Sequence, residues 1–266
     1  MTFSELLSNF FTHKDFLPPA SEIPGSMFTP LHFLVSGVAL FLVIVLGIRF
    51  AKMSEKNIRI LFTVLWAVAV VFEVVKISWE TLSGRTVSFE WGGVLPLYPC
   101  SVFMYAMPFA IWGRGIVRRA GAGYVCTLGV LGAAVNFVYP ATVMSNYSAI
   151  SFAGFHTLFY HCTMLFVALV MLRSGYHSFR GVTRWYEPFI PALPLLAVSI
   201  IANAVNFSPL GSDYMFFRLS SFFFAPIGAA LPTPVCVLIV YLLYLIIHAV
   251  PYLPSYIANK KNPHSN

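Results

Sequence analysis

Charge is what this sequence has least of. Charged residues make up 9% of the 266-residue chain, against roughly 25% in an ordinary soluble domain. A water-soluble protein of this length cannot cover its surface with so few charges, so a soluble enzyme or binding module is excluded. Acidic residues are the scarcest, 9 Asp and Glu against 16 Lys and Arg, for a net charge of +7. The basic excess forms no run; it is spread over short loops between apolar stretches, which argues against nucleic acid as a partner. There are four cysteines, Cys100, Cys126, Cys162 and Cys236, all in apolar segments and without CxxC spacing. A disulfide framework or zinc site is therefore not expected, and no cofactor is expected either. The first thirty residues lack the basic start, short apolar core and cleavage site of a signal peptide. No internal repeat is visible, so nothing points to a transporter of inverted repeats.

Hydrophobic residues make up 59% of the chain. A spanning helix needs roughly 20 mostly apolar residues, and seven segments approach that standard: 31–50, 58–79, 92–112, 121–139, 152–172, 188–206 and 231–250. The expected fold is an all-α polytopic membrane helix bundle. An N-terminal segment, 1–30, precedes a seven-helix domain, 31–251, and a tail, 252–266, follows. The third and sixth spans each carry several prolines, which free backbone carbonyls that neighbouring helices must satisfy. Residues 1–11 suggest a short amphipathic helix on the membrane, and Pro18, Pro19 and Pro24 an extended connection. The run 222–224 in the long 207–230 connection suggests a segment dipping into the interface.

Orientation follows from the basic residues. Arg49, Lys52, Lys56, Arg59, Arg114, Arg118, Arg119, Arg173, Arg180, Arg184, Lys260 and Lys261 fall on one side; Lys14, Lys76, Arg85 and Arg218 fall on the other. A partition of 12 against 4 that alternates loop by loop requires an odd number of spans. It places the N-terminus outside and the C-terminus in the cytoplasm, in what is expected to be a bacterial plasma membrane.

Ionisable groups inside a span are costly and turn toward the interior. Glu73, Lys76 and Glu80 share one face of the second span by their spacing of three and four. Ser199, Asn203 and Asn206 form a stripe on the sixth, and Asn136 lies near the outer end of the fourth. Cys100 falls about 12 Å into the third span and His161 about 13 Å into the fifth, at 1.5 Å per residue. His156, five residues earlier, points about 140° away from His161. The polar groups thus gather in the outer half, while the inner half is nearly pure hydrocarbon apart from Cys126 and His248. A site opening toward the outer leaflet accounts for that asymmetry.

Each group has two readings. Cys100 follows Pro96 and Pro99, so a helix begins near it, where the dipole favours negative charge; it is either a nucleophile or a buried thiol. His161 is either that thiol's base, with Asn203, Asn136 or Glu73 as orienting group, or a histidine satisfied by a backbone carbonyl. Glu73 and Lys76 form either a packing ion pair or part of the site. The asparagines are site residues or interhelical glue. A metal site drawn from His156, His161, Cys162 and Cys100 has poor spacing.

Pro96-Leu97-Tyr98-Pro99-Cys100-Ser101 resembles the LPLHLCS signature of YwaF-like bacterial membrane proteins. Phe159-Tyr160-His161 at the head of an apolar helix is similar to that family's histidine segment. Asn203, followed by Gly211-Ser212-Asp213-Tyr214-Met215, looks like its N…GTNYMF segment. The resemblance runs from about 31 to 250. Tyr98 stands where the family has histidine, and Asp213 where it has asparagine. Eukaryotic relatives are described as multispanning phospholipid acyltransferases with an essential cysteine and histidine, and the matching positions are Cys100 and His161. The resemblance thus implies a lipid acyltransferase or acyl hydrolase acting on membrane lipid. Asn203, Asn136, Glu73, Lys76, His156, Tyr98 and Asp213 would line its site. The alternative is a non-enzymatic protein that binds or carries a lipid or small solute. The topology has a direct check: a reporter fused after Asn266 should read cytoplasmic, and one inserted at 145–150 external. A cytoplasmic reading from the second contradicts seven spans.

Overall fold

The computed structural model describes residues 3–85, 95–141, 143–207, 213–220 and 224–261. Among these residues every regular element is a helix. In chain order they are α1 (Phe3–Ser8), α2 (Pro30–Phe50), α3 (Glu55–Ser83), α4 (Val102–Trp112), α5 (Gly115–Tyr124), α6 (Val130–Val138), α7 (Phe152–Arg173), α8 (Leu193–Asn206), α9 (Ala225–Ala230), α10 (Thr233–Ala249) and α11 (Leu253–Lys261). A π-turn, Val125–Gly129, follows α5, and a 3₁₀ helix, Glu187–Ala192, leads into α8.

Among the described residues six stretches are long and apolar enough to cross a membrane: α2, α3, Gly115–Val138, α7, Glu187–Asn206 and Thr233–Lys260. They coincide with six of the segments read from the sequence. The seventh corresponds to α4, which has only 11 residues and occupies the second half of the expected span 92–112. Pro96 and Pro99 have no N–H to give a helical ladder, so the helix starts after them. Residues 92–94, 211–212 and 222–223 lie outside the described residues, and the expectations placed on them go with them. The protein is an all-α, polytopic membrane protein.

The chain forms two compact units, each built from separate stretches of sequence. The first comprises Met1–Glu90 and Val130–Arg173. Its α2 begins at a Thr29 cap, whose hydroxyl accepts from the His32 amide, with Pro30 in the first turn, where its missing N–H costs nothing. The buried residues of α2 are His32, Ser36, Val43 and Gly47, a single stripe. The exposed face carries Phe33, Leu34, Val38, Phe41 and Leu42. The polarity of a soluble amphipathic helix is reversed, as expected in hydrocarbon. The N-terminal segment forms the short helix α1, and its proline region is not simply extended. It makes 3₁₀ turns at Lys14–Phe16 and Ala20–Glu22. Backbone bonds from Phe152 N to Phe10 O (2.8 Å), Ala149 N to Gly25 O (2.7 Å) and Met27 N to Met144 O (2.9 Å) tie it to the connection before α7.

The second unit comprises Trp91–Gly129 and Ser174–Asn266. Here α4 and α5 pack closely at Gly121, where an added Cβ would come within 2.4 Å of Ala106 O and 2.5 Å of Ala110 N. Backbone atoms cannot rotate aside, so Gly121→Ala should lower stability by about 1–3 kcal/mol. Gly37 has nothing within 4 Å of an added Cβ, so Gly37→Ala should be neutral or stabilising by up to about 1 kcal/mol. Thermal unfolding in detergent of the two variants checks both.

Candidate functional site

In the first unit, α3 and α7 supply the ionisable groups. His156 Nε2 lies 3.2 Å from Glu73 Oε2, with both side chains largely buried. The contact is an ion pair only when His156 is protonated. Lys76 Nζ pairs instead with Glu80 Oε2 at 3.1 Å, one turn along the same helix. The ion pair considered for Glu73 and Lys76 is thus replaced by two others: Glu73 reaches across to α7, and Lys76 takes the neighbour four residues away. Asn136 is buried on α6.

His161 is held by its own helix. Its Nδ1 lies 2.7 Å from the Thr157 carbonyl oxygen. A carbonyl only accepts, so Nδ1 carries the proton and the neutral ring presents a bare Nε2 lone pair. That atom is buried and has no hydrogen-bond partner. The orienting role considered for Asn136, Asn203 or Glu73 is filled by Thr157, because the carbonyl four residues back is within reach of the ring.

In the second unit the segment from Leu95 to Cys100 is a series of turns. Leu97 N bonds to Leu95 O at 2.8 Å, Ser101 N to Tyr98 O at 2.9 Å and Phe103 N to Cys100 O at 3.1 Å. Cys100 is partly exposed and sits just before α4. The Tyr124 hydroxyl donates to the Pro99 carbonyl, fixing the peptide before the thiol. Leu95 N donates to Tyr214 Oη at 2.9 Å. The Tyr98 ring packs edge-on against Tyr214 and tilted against Phe216, with centroids 5.1 and 5.5 Å away. The first and last of the three recognised segments are therefore in contact. Tyr98, standing where the resemblance expects histidine, is held by aromatic packing.

Residues 213–220 owe their shape to side chains. Asn206 Oδ1 accepts from Tyr214 N at 2.7 Å, and its Nδ2 donates to Tyr214 O at 2.8 Å. Asp213 accepts from Arg218 N at 2.6 Å, Ser220 N at 3.0 Å and Ser220 Oγ at 2.6 Å. Asp213 thus organises its own loop. Tyr244 Oη donates to Met215 O at 2.8 Å. Met215, Phe216 and Leu219 have φ of 59°, 56° and 51°, which costs of order 1–3 kcal/mol each for such residues. Asn203 Nδ2 donates to Tyr241 Oη at 3.1 Å, and that hydroxyl donates on to Ser199 at 2.7 Å.

The last span carries polar residues that the sequence reading did not single out as site residues. Tyr241, Tyr244, His248 and Tyr252 recur at spacings of three and four, which put them on one face. Thr127 donates its one proton to Gly123 O at 2.7 Å, so it accepts from His248 Nδ1, 2.5 Å away. Its seat, the π-turn, is an element often found at functional sites. His177 Nε2 lies 2.8 Å from Tyr252 Oη. The half of the bundle read as hydrocarbon therefore holds Thr127–His248 as a paired polar group. The stripe in the last span was the signal that would have found it.

Together these groups define a multispanning membrane protein whose polar side chains converge inside each unit. The chain belongs to the TMEM164 family, whose pattern matches residues 27–252. No curated protein and no solved structure matches it.

Burial, with the Arg118 charge as a second cause, holds the His177 imidazole down at about 4, against about 6.5 for a free ring. The unfolded chain therefore binds a proton that the folded chain refuses. Stability from this group is full above pH about 6.5 and is lost as pH falls toward 4, by up to about 1.4 kcal/mol per pH unit. Thermal melts between pH 7.5 and 4.5 should show this slope, and His177→Phe should flatten it.

Proposed function

We propose that this chain is a membrane-embedded acyltransferase or acyl hydrolase acting on phospholipid, with Cys100 as nucleophile and His161 as general base. The observation that carries the reading is the state of His161: its proton is committed to Thr157 O, and its Nε2 is bare, buried and unpartnered. A base that accepts a thiol proton needs that arrangement. The likeness to YwaF-like proteins, and through them to cysteine-dependent eukaryotic acyltransferases, supports the choice of Cys100. Its turn is fixed on both sides by Tyr124 and by the 213–220 loop.

In the first half-reaction the Cys100 sulfur attacks the ester carbonyl of a phospholipid. Its proton passes to His161 Nε2 and on to the leaving alkoxide, which departs as the lyso-alcohol and leaves a thioester on Cys100. In the second, a hydroxyl acceptor or water attacks the thioester and the thiol is restored. The site is proposed to open toward the outer leaflet of a bacterial plasma membrane.

A binding or transport role is the second reading, and the polar stripe of α10 favours it. A carrier needs polar groups at both ends of its path, and Thr127–His248 supplies a bonded pair in the half where the sequence offered only Cys126 and His248. The two readings part on mutation. Transfer of a labelled acyl chain from phospholipid by purified protein should vanish in Cys100→Ser. It should fall by a factor on the order of 10² to 10⁴ in His161→Ala, the usual share of a general base. The double variant should lose little more than the worse single one. Turnover that survives Cys100→Ser removes Cys100 as nucleophile, and a wild-type protein that binds phospholipid without transferring its acyl chain decides for the binding reading.

A further inference from the structure

The buried face of α2 holds two polar groups for which the fold has no evident use. His32 is 0% exposed and Ser36 5% exposed. They lie one turn apart on the same helix face, with Cβ atoms about 5–6 Å apart by helix geometry. The proton on His32 can be placed without ambiguity. The Phe28 backbone N–H donates to His32 Nδ1 at 3.3 Å, and a backbone amide can only donate. Nδ1 is therefore the acceptor, and Nε2 carries the hydrogen. That Nε2–H is buried and has no acceptor. Ser36 Oγ is likewise buried and unpartnered.

Ser36 departs from the habit of most other helical hydroxyls, a departure that Thr81 shares. Thr63, Ser78, Ser83, Thr127 and Thr163 all return their proton to the carbonyl four residues back. Ser36 has the same option on the carbonyl of His32 and does not take it. Two donors on one face thus have no partner among the described residues. Leaving such groups unsatisfied costs about 1–3 kcal/mol each, and a second-turn alanine would remove the cost at Ser36. A paired N–H and O–H matches one kind of partner: an oxygen that accepts two hydrogen bonds, carried on something apolar enough to enter a hydrocarbon-lined interior.

We propose that His32 and Ser36 form a binding site for the carbonyl or carboxylate oxygen of an acyl chain, with the chain itself lying among the apolar residues of the first unit. The ligand is either an ester-linked acyl group of a lipid or a free fatty acid; both present the same oxygen. This site does not depend on Cys100 acting as a nucleophile.

The test uses the full chain in phosphatidylcholine nanodiscs and two photoreactive probes. One is a fatty acid with a diazirine near its carboxyl group; the other is a phosphatidylcholine carrying the same acyl chain. Crosslinks mapped by mass spectrometry should concentrate on the first half of α2. Ser36→Ala and His32→Phe should each cut that labelling about tenfold, the loss of one hydrogen bond of about 1.4 kcal/mol. His32→Gln, which keeps an N–H at the Nε2 position, should retain most of it. The probe that labels identifies the source, acid or ester. Stability gives an independent readout. Measured in lipid-free detergent, where no acyl group meets the hydroxyl, Ser36→Ala removes an unsatisfied buried group and should melt at or above the wild type. Two results overturn the site: labelling by both probes that Ser36→Ala leaves unchanged, or a Ser36→Ala protein that melts lower than wild type and so shows a structural hydroxyl. Because the readouts are crosslinking and melting, loss of acyl transfer in Cys100→Ser leaves this result intact. Conversely, failure of the crosslink leaves the transfer reading standing on its own assay.

Discussion

In a membrane the hydrophobic effect cannot sort helix faces, because lipid is as apolar as leucine. What sorts them is the cost of leaving a polar group in hydrocarbon without a partner. Nearly every local feature of this protein follows from that constraint. The inner stripe of α2 is His32, Ser36, Val43 and Gly47, while its outer surface is phenylalanine, leucine and valine. In the last span the tyrosines and His248 share a face, and each hydroxyl reaches a carbonyl, an amide or another ring. The glycines at 47 and 121 belong to the same scheme, since close approach of helices is what brings those short polar groups within reach of one another.

The histidines show how finely the constraint acts. His32 receives a backbone N–H on Nδ1 and so carries its proton on Nε2. His161 and His248 give their Nδ1 proton to a carbonyl and to a committed threonine hydroxyl, and so keep Nε2 bare. The residue type is one, but the buried edge is a donor in the first case and an acceptor in the other two. Sequence position relative to a helix end decides which. His32 lies in the first turn, where amides lack helical partners, whereas His161 lies mid-helix, where only carbonyls are nearby.

This also explains what was legible in the sequence. Six spans could be located from the sequence, with ends that differ by as much as ten residues, because the length and polarity of an apolar run fix where a span lies better than where it stops. The third could not, since Pro96 and Pro99 convert half of it into turns that hydropathy does not see. Cys100, Tyr98 and Asp213 were visible as motif residues. Their environment was not, because the bond from Leu95 to Tyr214 joins segments 119 residues apart and no local pattern encodes it. Glu73 was placed on the correct face, but its partner was misread: the spacing offered Lys76, and the structure offers His156 across the helix pair. His248 was noted as an isolated polar residue, and its pairing with Thr127 was missed for a different reason. Reading polar groups by depth treats each span as a list, and the pattern that mattered was a stripe.

The separation of Leu95 from Tyr214 bears on when this protein comes into being. During synthesis the Cys100 turn leaves the ribosome long before the tyrosine that holds it. At 5–20 residues per second the interval is on the order of ten seconds. Until then Leu95 N has no Tyr214 hydroxyl to meet, and the left-handed residues of the 213–220 loop have neither Asn206 nor Tyr244 to impose their shape. The thiol region is thus one of the last parts of the chain to acquire its form. A growing chain inserts its earlier helices into lipid while that region is still unfinished, so the Cys100 turn takes its bonded form only in a chain that has been made at least as far as Tyr214.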